Sequence, residues 1–145
     1  MTPDGISTAE WARVHEFAAE IVNASADDDE ALGSSLVAQL LQELDRLELH
    51  YGRLASLLAT RADYLDEGPA LELLEEAYAI AQSGGDHAVC LLVADSLASR
   101  HIEDRRDRVQ GAQWLAACAH ALRSTGSASD IKQFEWLEGQ LQLLP

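Results

Sequence analysis

The sequence predicts an all-α protein of about seven helices, arranged as antiparallel helix hairpins that stack side by side. The chain echoes itself at an offset of 42 residues, because residues 70–84 align with residues 112–126 with their small residues and final glycine in register. Apolar residues recur at helical spacing, and almost no run alternates as a strand would. Hydrophobic residues make up 48% of the chain and only three residues are proline, which favours a folded helical protein. Such a repeat predicts a stack in which each unit buries its apolar face against its neighbours.

The first helix is predicted to begin at Ser7 or Thr8, since Ser7 and Glu10 have the spacing of a capping box. Its apolar side chains share one helical face: Trp11, Val14, Ala18 and Ile21. We expect it to fade near Ala24. The acidic run of residues 27–30 precedes the second helix, where the helix dipole favours carboxylates. These acids are contiguous and enclose no glycine, which argues against a calcium-binding loop.

The second helix also has an apolar face: Val37, Leu40, Leu41, Leu44 and Leu47. It ends near Gly52, because glycine readily adopts the left-handed conformation just past a helix. The third helix extends from about Arg53 to Leu65. Gly68-Pro69 separates it from the fourth, with proline at the first helical position, and Gly84-Gly85 ends the fourth.

The fifth helix is predicted to run from its cap at Asp86 to about His101. A loop rich in Asp and Arg leads to the sixth helix, which stops at Gly126. Ser129 or Asp130 caps the last helix. We therefore predict that residues 1–145 form a single helical-repeat domain of three hairpins and a capping helix: about residues 8–50, 53–84, 86–126 and 129–144.

The pattern of small residues in these hairpins resembles that of tetratricopeptide-repeat proteins. In that family the first helix of a unit has small or apolar residues at four positions, and the second helix has three. Matching first-helix positions are Ala55, Leu58, Ala59, Ala62 and Ala94, Leu97, Ala98, His101. Matching second-helix positions are Ala70, Leu74, Ala77 and Ala112, Ala116, Ala119. The resemblance covers residues 53–126, is weak in the first hairpin, and implies a short superhelix of the same type.

The resemblance also implies a partner-binding concave surface on the third and fifth helices. The positions that match the ligand-facing ones of the family are Arg53, Ser56, Thr60, Asp63, Leu92, Asp95, Ser99 and Ile102. Lys132 is the only lysine, so a clamp for a peptide carboxylate is not expected. We expect a groove for a helix or an extended peptide. The alternative is that these residues form an ordinary solvated face.

Arg61 and Arg100 occupy equivalent positions, in Leu-Ala-Thr-Arg and Leu-Ala-Ser-Arg. Either they pair with acids such as Glu72 or Asp104 and support each hairpin, or they present charge to a ligand; we favour the first. The basic cluster of residues 105–108 contacts an acidic patch on a partner or a second copy, or forms local ion pairs.

The last helix has apolar residues on two faces. One face is expected to cover the end of the stack: Phe134, Leu137, Leu141 and Leu144. Trp136 and Leu143 point elsewhere and indicate a homodimer or partner contact, because an exposed apolar patch usually means association.

Charge and motifs narrow the class of function. The net charge is −15, and the acids are concentrated in residues 1–50. This field disfavours binding to nucleic acid or a membrane and favours a basic protein. The alternative is that the acids only keep the protein soluble. No signal peptide or membrane-spanning run is evident, so we expect a soluble, cytoplasmic protein.

We identify no catalytic, metal-binding or cofactor-binding pattern, and so expect no enzyme and no cofactor. The histidines are scattered, with His101 as a candidate pH-sensitive contact, and Cys90 and Cys118 are expected to be buried thiols. The sequence thus favours a non-enzymatic adaptor or chaperone-like module that binds a peptide or helix of another, basic protein. The alternative is an immunity or antitoxin-type inhibitor that occludes a basic toxin.

Overall fold

The computed structural model describes residue 2 and residues 4–145, and this part of the chain contains seven α-helices and no strand. The helices are α1 (Thr8–Ala26), α2 (Glu30–Tyr51), α3 (Ala55–Ala62), α4 (Glu67–Ser83), α5 (His87–Ser99), α6 (Arg108–Leu122) and α7 (Ala128–Gln142). A π-helical turn, Arg100–Asp104, continues α5. The predicted all-α class is confirmed. None of these helices is long and apolar enough to cross a membrane.

Most helix starts are set by the local side chains that the sequence indicates. The Ser7 hydroxyl accepts a hydrogen bond from the Glu10 amide at 3.2 Å. Asp29, Asp86 and Asp107 cap α2, α5 and α6 in the same way. Each satisfies one of the amides that has no partner within the first turn.

Two predicted helix starts are wrong. Ser127 rather than Ser129 or Asp130 caps α7, because Ser127 and the Asp130 carboxylate form a reciprocal capping box. Helix α4 begins at Glu67, so Gly68-Pro69 lies inside its first turn instead of separating it from α3. Proline is tolerated there because amides of the first turn have no intrahelical acceptor.

Five predicted helix ends also move. Helix α1 ends at Ala26 rather than Ala24, and α7 ends at Gln142 rather than Leu144. Helix α3 ends at Ala62 rather than Leu65, and α6 ends at Leu122 rather than Gly126. In both cases the following amides bond three residues back, as at Tyr64 to Arg61. This tighter turn ends the α-helix. Helix α5 changes to the wider π-helical turn at Arg100, just before its predicted end at His101.

The core consists of three apolar clusters along the stack. The first joins Ile6, α1, α2 and Leu57 of α3 around Leu40 and Leu44. The second lies among α3, α4 and α5, and the third among α5, α6 and α7. Tyr78 and Trp114, whose rings meet edge to face at 5.1 Å, pack against both of the latter clusters. The second and third hairpins therefore share a continuous interior.

The first-helix positions of the two matching hairpins are all buried: Ala55, Leu58, Ala59, Ala62 and Ala94, Leu97, Ala98, His101. On α4 the predicted positions are buried as well: Ala70, Leu74 and Ala77. Small side chains at these positions allow close approach of the helix axes.

On α6, however, the predicted positions are wrong by one residue. Ala112 and Ala116 are exposed and Ala119 is only partly buried. The buried residues are instead Gly111, Leu115 and Cys118. The structural offset is thus 41 residues from α4 to α6, whereas it is 39 from α3 to α5. The register of 42 aligns alanines that the fold leaves largely at the surface.

The physical reason is side-chain size. A shift of one residue turns a helical face by about 100°, and the observed turn brings Trp114 and Leu115 towards the core. Large apolar side chains gain much more free energy from burial than alanine does, by roughly 25 cal/mol for each Å² removed from water. Burial of these two residues therefore outweighs the alignment of small ones.

Candidate protein-binding groove

Helices α3 and α5 form the two walls of a cleft of about 520 Å³. Its lining includes six of the residues that the sequence proposes for binding: Thr60, Asp63, Leu92, Asp95, Ser99 and Arg100. The rest of its lining consists of the buried Ala59 and Leu74 and the polar residues Ser96 and Asp104. The fold thus brings most of the candidate residues of α3 and α5 into one cleft.

A smaller cavity of about 180 Å³ continues this cleft between α5 and α7. Leu92 and Asp95 line both cavities. The smaller one adds apolar residues of three helices and polar residues of α7: Leu91, Cys118, Phe134, Asp130 and Gln133. We refer to the two cavities together as the α3/α5/α7 groove. The contribution of α7 depends on tertiary packing, and no repeat pattern indicates it.

Five of the proposed residues lie outside this groove: Arg53, Ser56, Arg61, Ile102 and Trp136. Ser56 is buried, because its amide and hydroxyl donate to the Asp4 carboxylate at 2.9 and 2.7 Å. Ile102 is only 1% exposed, since the π-helical turn directs it into the third core cluster. Both are corrections to the sequence-based assignment. Asp4 covers Ser56, and the third core cluster encloses Ile102.

Arg53 and Trp136 are accessible but also lie away from the groove lining. Arg53 pairs with Glu48 of α2 at 3.0 Å and with Glu76 of α4 at 2.7 Å, which ties the first hairpin to the second. Trp136 is 48% exposed on the outer face of α7. Its predicted position, pointing away from the face that covers the stack, is confirmed.

The matched arginines both reach back to the preceding hairpin. Arg61 contacts Asp45 at 2.6 Å, and Arg100 contacts Asp63 at 3.5 Å. The expected partners Glu72 and Asp104 are wrong, because the stack brings carboxylates of the previous unit closer. These contacts support a structural role for both residues. Arg100 also lines the groove, so its charge is available there as well.

The groove is rich in carboxylates. Asp63, Asp95, Asp104 and Asp130 line it, and Arg100 is the one basic residue among its described lining residues. Burial, followed by the neighbouring charges of Asp130 and Glu103, raises the pKa of Asp95. Such a shift means that the ionised form is insufficiently compensated, so a cation in the groove would stabilise it.

The Arg-rich loop is partly engaged within the molecule. Arg105 lies 3.6 Å from Glu67, and Arg108 donates to the Leu144 carbonyl at 2.7 Å. Asp107 caps α6. Local ion pairing, one of the two roles considered for this cluster, is therefore present in the fold, while Arg106 remains exposed.

His101 is buried and, among the described residues, neither ring nitrogen has a hydrogen-bond partner. Burial, and then the charge of Arg105, lowers its pKa. The expected burial of both cysteines is confirmed, and burial raises the pKa of the Cys118 thiol to about 12.

No protein-family model, curated protein or solved structure matches this chain. The resemblance to tetratricopeptide-repeat proteins therefore stays a prediction.

Proposed function

We propose that this chain is a non-enzymatic adaptor or chaperone-like module, with hairpins of the tetratricopeptide-repeat type, that holds a segment of a basic partner protein in the α3/α5/α7 groove. The observation that carries the proposal is the meeting of Thr60, Asp63, Leu92, Asp95, Ser99 and Arg100 in one cleft. These residues come from α3, from α5 and from the first residue after each of them, in successive hairpins. A stack of hairpins offers such a surface to a ligand.

The size and chemistry of the cleft support a peptide ligand. A volume of about 520 Å³ is in the range of about 300 to 1,000 Å³ that small-molecule sites have, so the cleft accepts a few side chains of a bound segment. Leu92 is 59% exposed where the two cavities meet, so an apolar side chain of the partner has a surface to bury. Polar groups on both sides of Leu92 offer acceptors that fix orientation, as in grooves that bind helices or extended segments.

Charge supports a basic partner. The chain has a net charge of −15, and the carboxylates of the groove outnumber its one described arginine. Complementary charge raises the association rate and suppresses acidic competitors. Because exposed charges are screened within about 10 Å at moderate ionic strength, binding should weaken as salt increases.

The test is selection of peptides from a random display library on the purified chain at low salt. We expect the selected peptides to be enriched in Arg and Lys and to combine these with apolar residues. Leu92→Arg should weaken their binding by about tenfold or more, because it fills the groove and repels cations. The matched control is Val109→Arg, since Val109 is 76% exposed at the start of α6, outside the groove. Equal binding by the two variants would contradict the proposal.

A second candidate function, inhibition of a basic toxin, is supported by a different surface. A cleft of about 570 Å³ opens between the end of α1 and the start of α2. Its apolar residues Ile21, Ala24 and Val37 lie beside Asp28, Asp29 and Glu30. Binding of a partner at this cleft should be lost in Glu30→Arg and retained in Leu92→Arg. A partner bound in the α3/α5/α7 groove should show the opposite result.

A further inference from the structure

The smaller cavity of the groove has an apolar wall and an acidic rim. Leu91 and Phe134 are partly buried beside it, Leu92 is exposed, and the buried Cys118 also lines it. The polar groups come from two helices: Asp95 from α5, and Asp130 and Gln133 from α7. A long side chain with an alkyl stem and a charged end matches this division, because such side chains pack their stems on apolar surface.

The Asp95 carboxylate is hydrogen-bonded to the Gln133 side chain, Asp130 belongs to the capping box of α7, and neither forms an ion pair among the described residues. The capping box engages one oxygen of Asp130, since Oδ2 accepts from the Ser127 amide at 2.7 Å and from its hydroxyl at 3.0 Å. No lining residue of this cavity is Lys, Arg or His. Among residues 2 and 4–145, no salt bridge includes Asp95. Arg100, the basic residue of the adjoining cavity, pairs with Asp63 instead.

The volume restricts the occupant. About 180 Å³ is smaller than the roughly 300 Å³ at which small-molecule sites usually begin. The cavity therefore suits one side chain of a larger ligand whose remaining residues lie along the adjoining cleft. Because Leu92 and Asp95 line both cavities, a single bound segment would contact the two of them together.

We infer that the cavity between α5 and α7 is a subsite for one arginine side chain of the partner protein, with its guanidinium between Asp95 and Asp130 and its stem against Leu92 and Phe134. This inference rests on the proposed function and specifies which partners the groove selects. Arginine fits better than lysine because a planar guanidinium has five hydrogen-bond donors and can donate to two carboxylates at the same time. An ammonium group acts as a point charge.

The direct test is an NMR titration of the isotope-labelled full chain with butylguanidinium and, separately, with butylurea, its neutral isostere. We expect butylguanidinium to cause saturable shifts of the amides of Leu92, Asp95 and Gln133, and butylurea to bind about tenfold more weakly or worse, because a charged hydrogen-bonded pair is lost. Asp95→Asn should abolish the preference for the cation. Glu72→Gln, the same charge change at an exposed position of α4, should preserve it.

Equal shifts with both probes, or an unchanged preference in Asp95→Asn, would overturn the subsite. The spectra of the variants show at the same time whether each one is folded.

A peptide from the library selection separates this inference from the proposed function. Its arginines are replaced one at a time by citrulline, which keeps the shape and removes the charge. One replacement should weaken binding to the wild-type chain by about tenfold and have no further effect on Asp95→Asn. Suppose that Leu92→Arg weakens peptide binding, but every citrulline replacement has the same effect on the wild-type chain and on Asp95→Asn. The proposed groove is then retained and the arginine subsite is refuted. If butylguanidinium titrates the cavity but no selected peptide depends on Leu92, the proposed function falls.

Discussion

Asp4 caps α3 from a distant part of the sequence. Its carboxylate accepts a hydrogen bond at 2.9 Å from the amide of Ser56, 52 positions further along the chain. Leu54 stands at the N-cap position of α3 and makes no side-chain capping bond. The carboxylate from the N-terminal segment thus supplies the acceptor that the local sequence lacks. This contact also removes Ser56 from the set of accessible groove residues, so one side chain affects both stability and the extent of the candidate site.

Replacing Asp4 with alanine should therefore destabilise the protein as the loss of a helix cap does. We expect the free energy of unfolding to fall by about 1 kcal/mol, measured by urea denaturation. The control is Asp66→Ala, because Asp66 stands at the N-cap of α4 without a side-chain capping bond. A loss no greater for Asp4→Ala than for this control would contradict the cap.

His101 is the other residue whose environment has a measurable consequence, in the dependence of stability on pH. Burial and the charge of Arg105 lower its pKa, while Asp107, Glu75 and Glu67 oppose this more weakly. The unfolded chain, in which the pKa is about 6.5, then binds a proton more readily than the folded chain. Stability from this site is full above that value and falls as the pH drops towards the lowered pKa.

We expect the wild-type chain to lose more stability than His101→Leu does between about pH 7.5 and about pH 5.5, as measured by urea denaturation at each pH. The comparison separates the contribution of His101 from that of Asp95. The raised pKa of Asp95 increases stability as the pH falls, and it does so in both proteins. His87→Leu, at an exposed position of α5, serves as the control and should keep the wild-type dependence. Identical pH profiles for wild type and His101→Leu would refute the assignment.

At the scale of elements, the packing of α6 depends on a glycine. Gly111 occupies the place that Ala70 has in α4, and a Cβ atom there would lie 2.6 Å from Ile102 Cγ1 and 3.3 Å from Leu141 Cδ1. Ile102 belongs to the π-helical turn that continues α5. Matching positions are 41 residues apart between α4 and α6 but 39 residues apart between α3 and α5. The π-helical turn and the following loop contain the two additional residues. Gly111 lets α6 approach this altered segment closely.

Gly111→Ala should accordingly destabilise the protein by about 1 to 3 kcal/mol, the usual cost of overpacking a core. Gly139 on α7 provides the matched control, because nothing lies within 4 Å of the place where its Cβ would be. Gly139→Ala should raise stability by about 0.5 to 1 kcal/mol, since alanine favours the helix. Thermal unfolding of the two variants checks both signs, and stabilisation by Gly111→Ala would show the packing to be wrong.

At the scale of the whole molecule, the outer face of α7 ends the stack with apolar side chains in solvent. Trp136 is 48% exposed, and Leu143, the C-cap residue of α7, is 73% exposed. Their separation of seven residues is close to two helical turns, so both lie on one side. The opposite side covers the third core cluster through Phe134 and Leu137. An end face of this kind supports the proposal that two copies associate through α7.

Sedimentation velocity over a range of concentrations tests this association. We expect the wild-type chain to form a dimer and Trp136→Glu to remain a monomer, because the charge cannot be buried without a partner. Leu49→Glu is the control: Leu49 is 90% exposed on α2, and the change should leave the dimer intact. A wild-type chain that stays monomeric throughout would refute the proposal.

The sequence predicted the candidate site in part. The resemblance to tetratricopeptide-repeat proteins implied Thr60, Asp63, Leu92, Asp95 and Ser99 as ligand-facing positions, and the cleft contains all five. It also implied Ser56 and Ile102, which the fold buries. It missed Asp130 and Gln133, since these belong to the helix after the last repeat. Nothing in the local sequence indicates which side of α7 meets α5.

By itself, the sequence determined the all-α class, the succession of seven helices in the described chain and most of their starts. These features depend on interactions within about four residues: apolar periodicity, capping side chains and helix-ending glycines. Tertiary structure alone decided the rotation of α6, the cap from Asp4, the partners of Arg61 and Arg100 and the closure of the groove by α7. These depend on which helix faces meet, and that is set by the burial of large side chains such as Trp114 against residues far away in the chain.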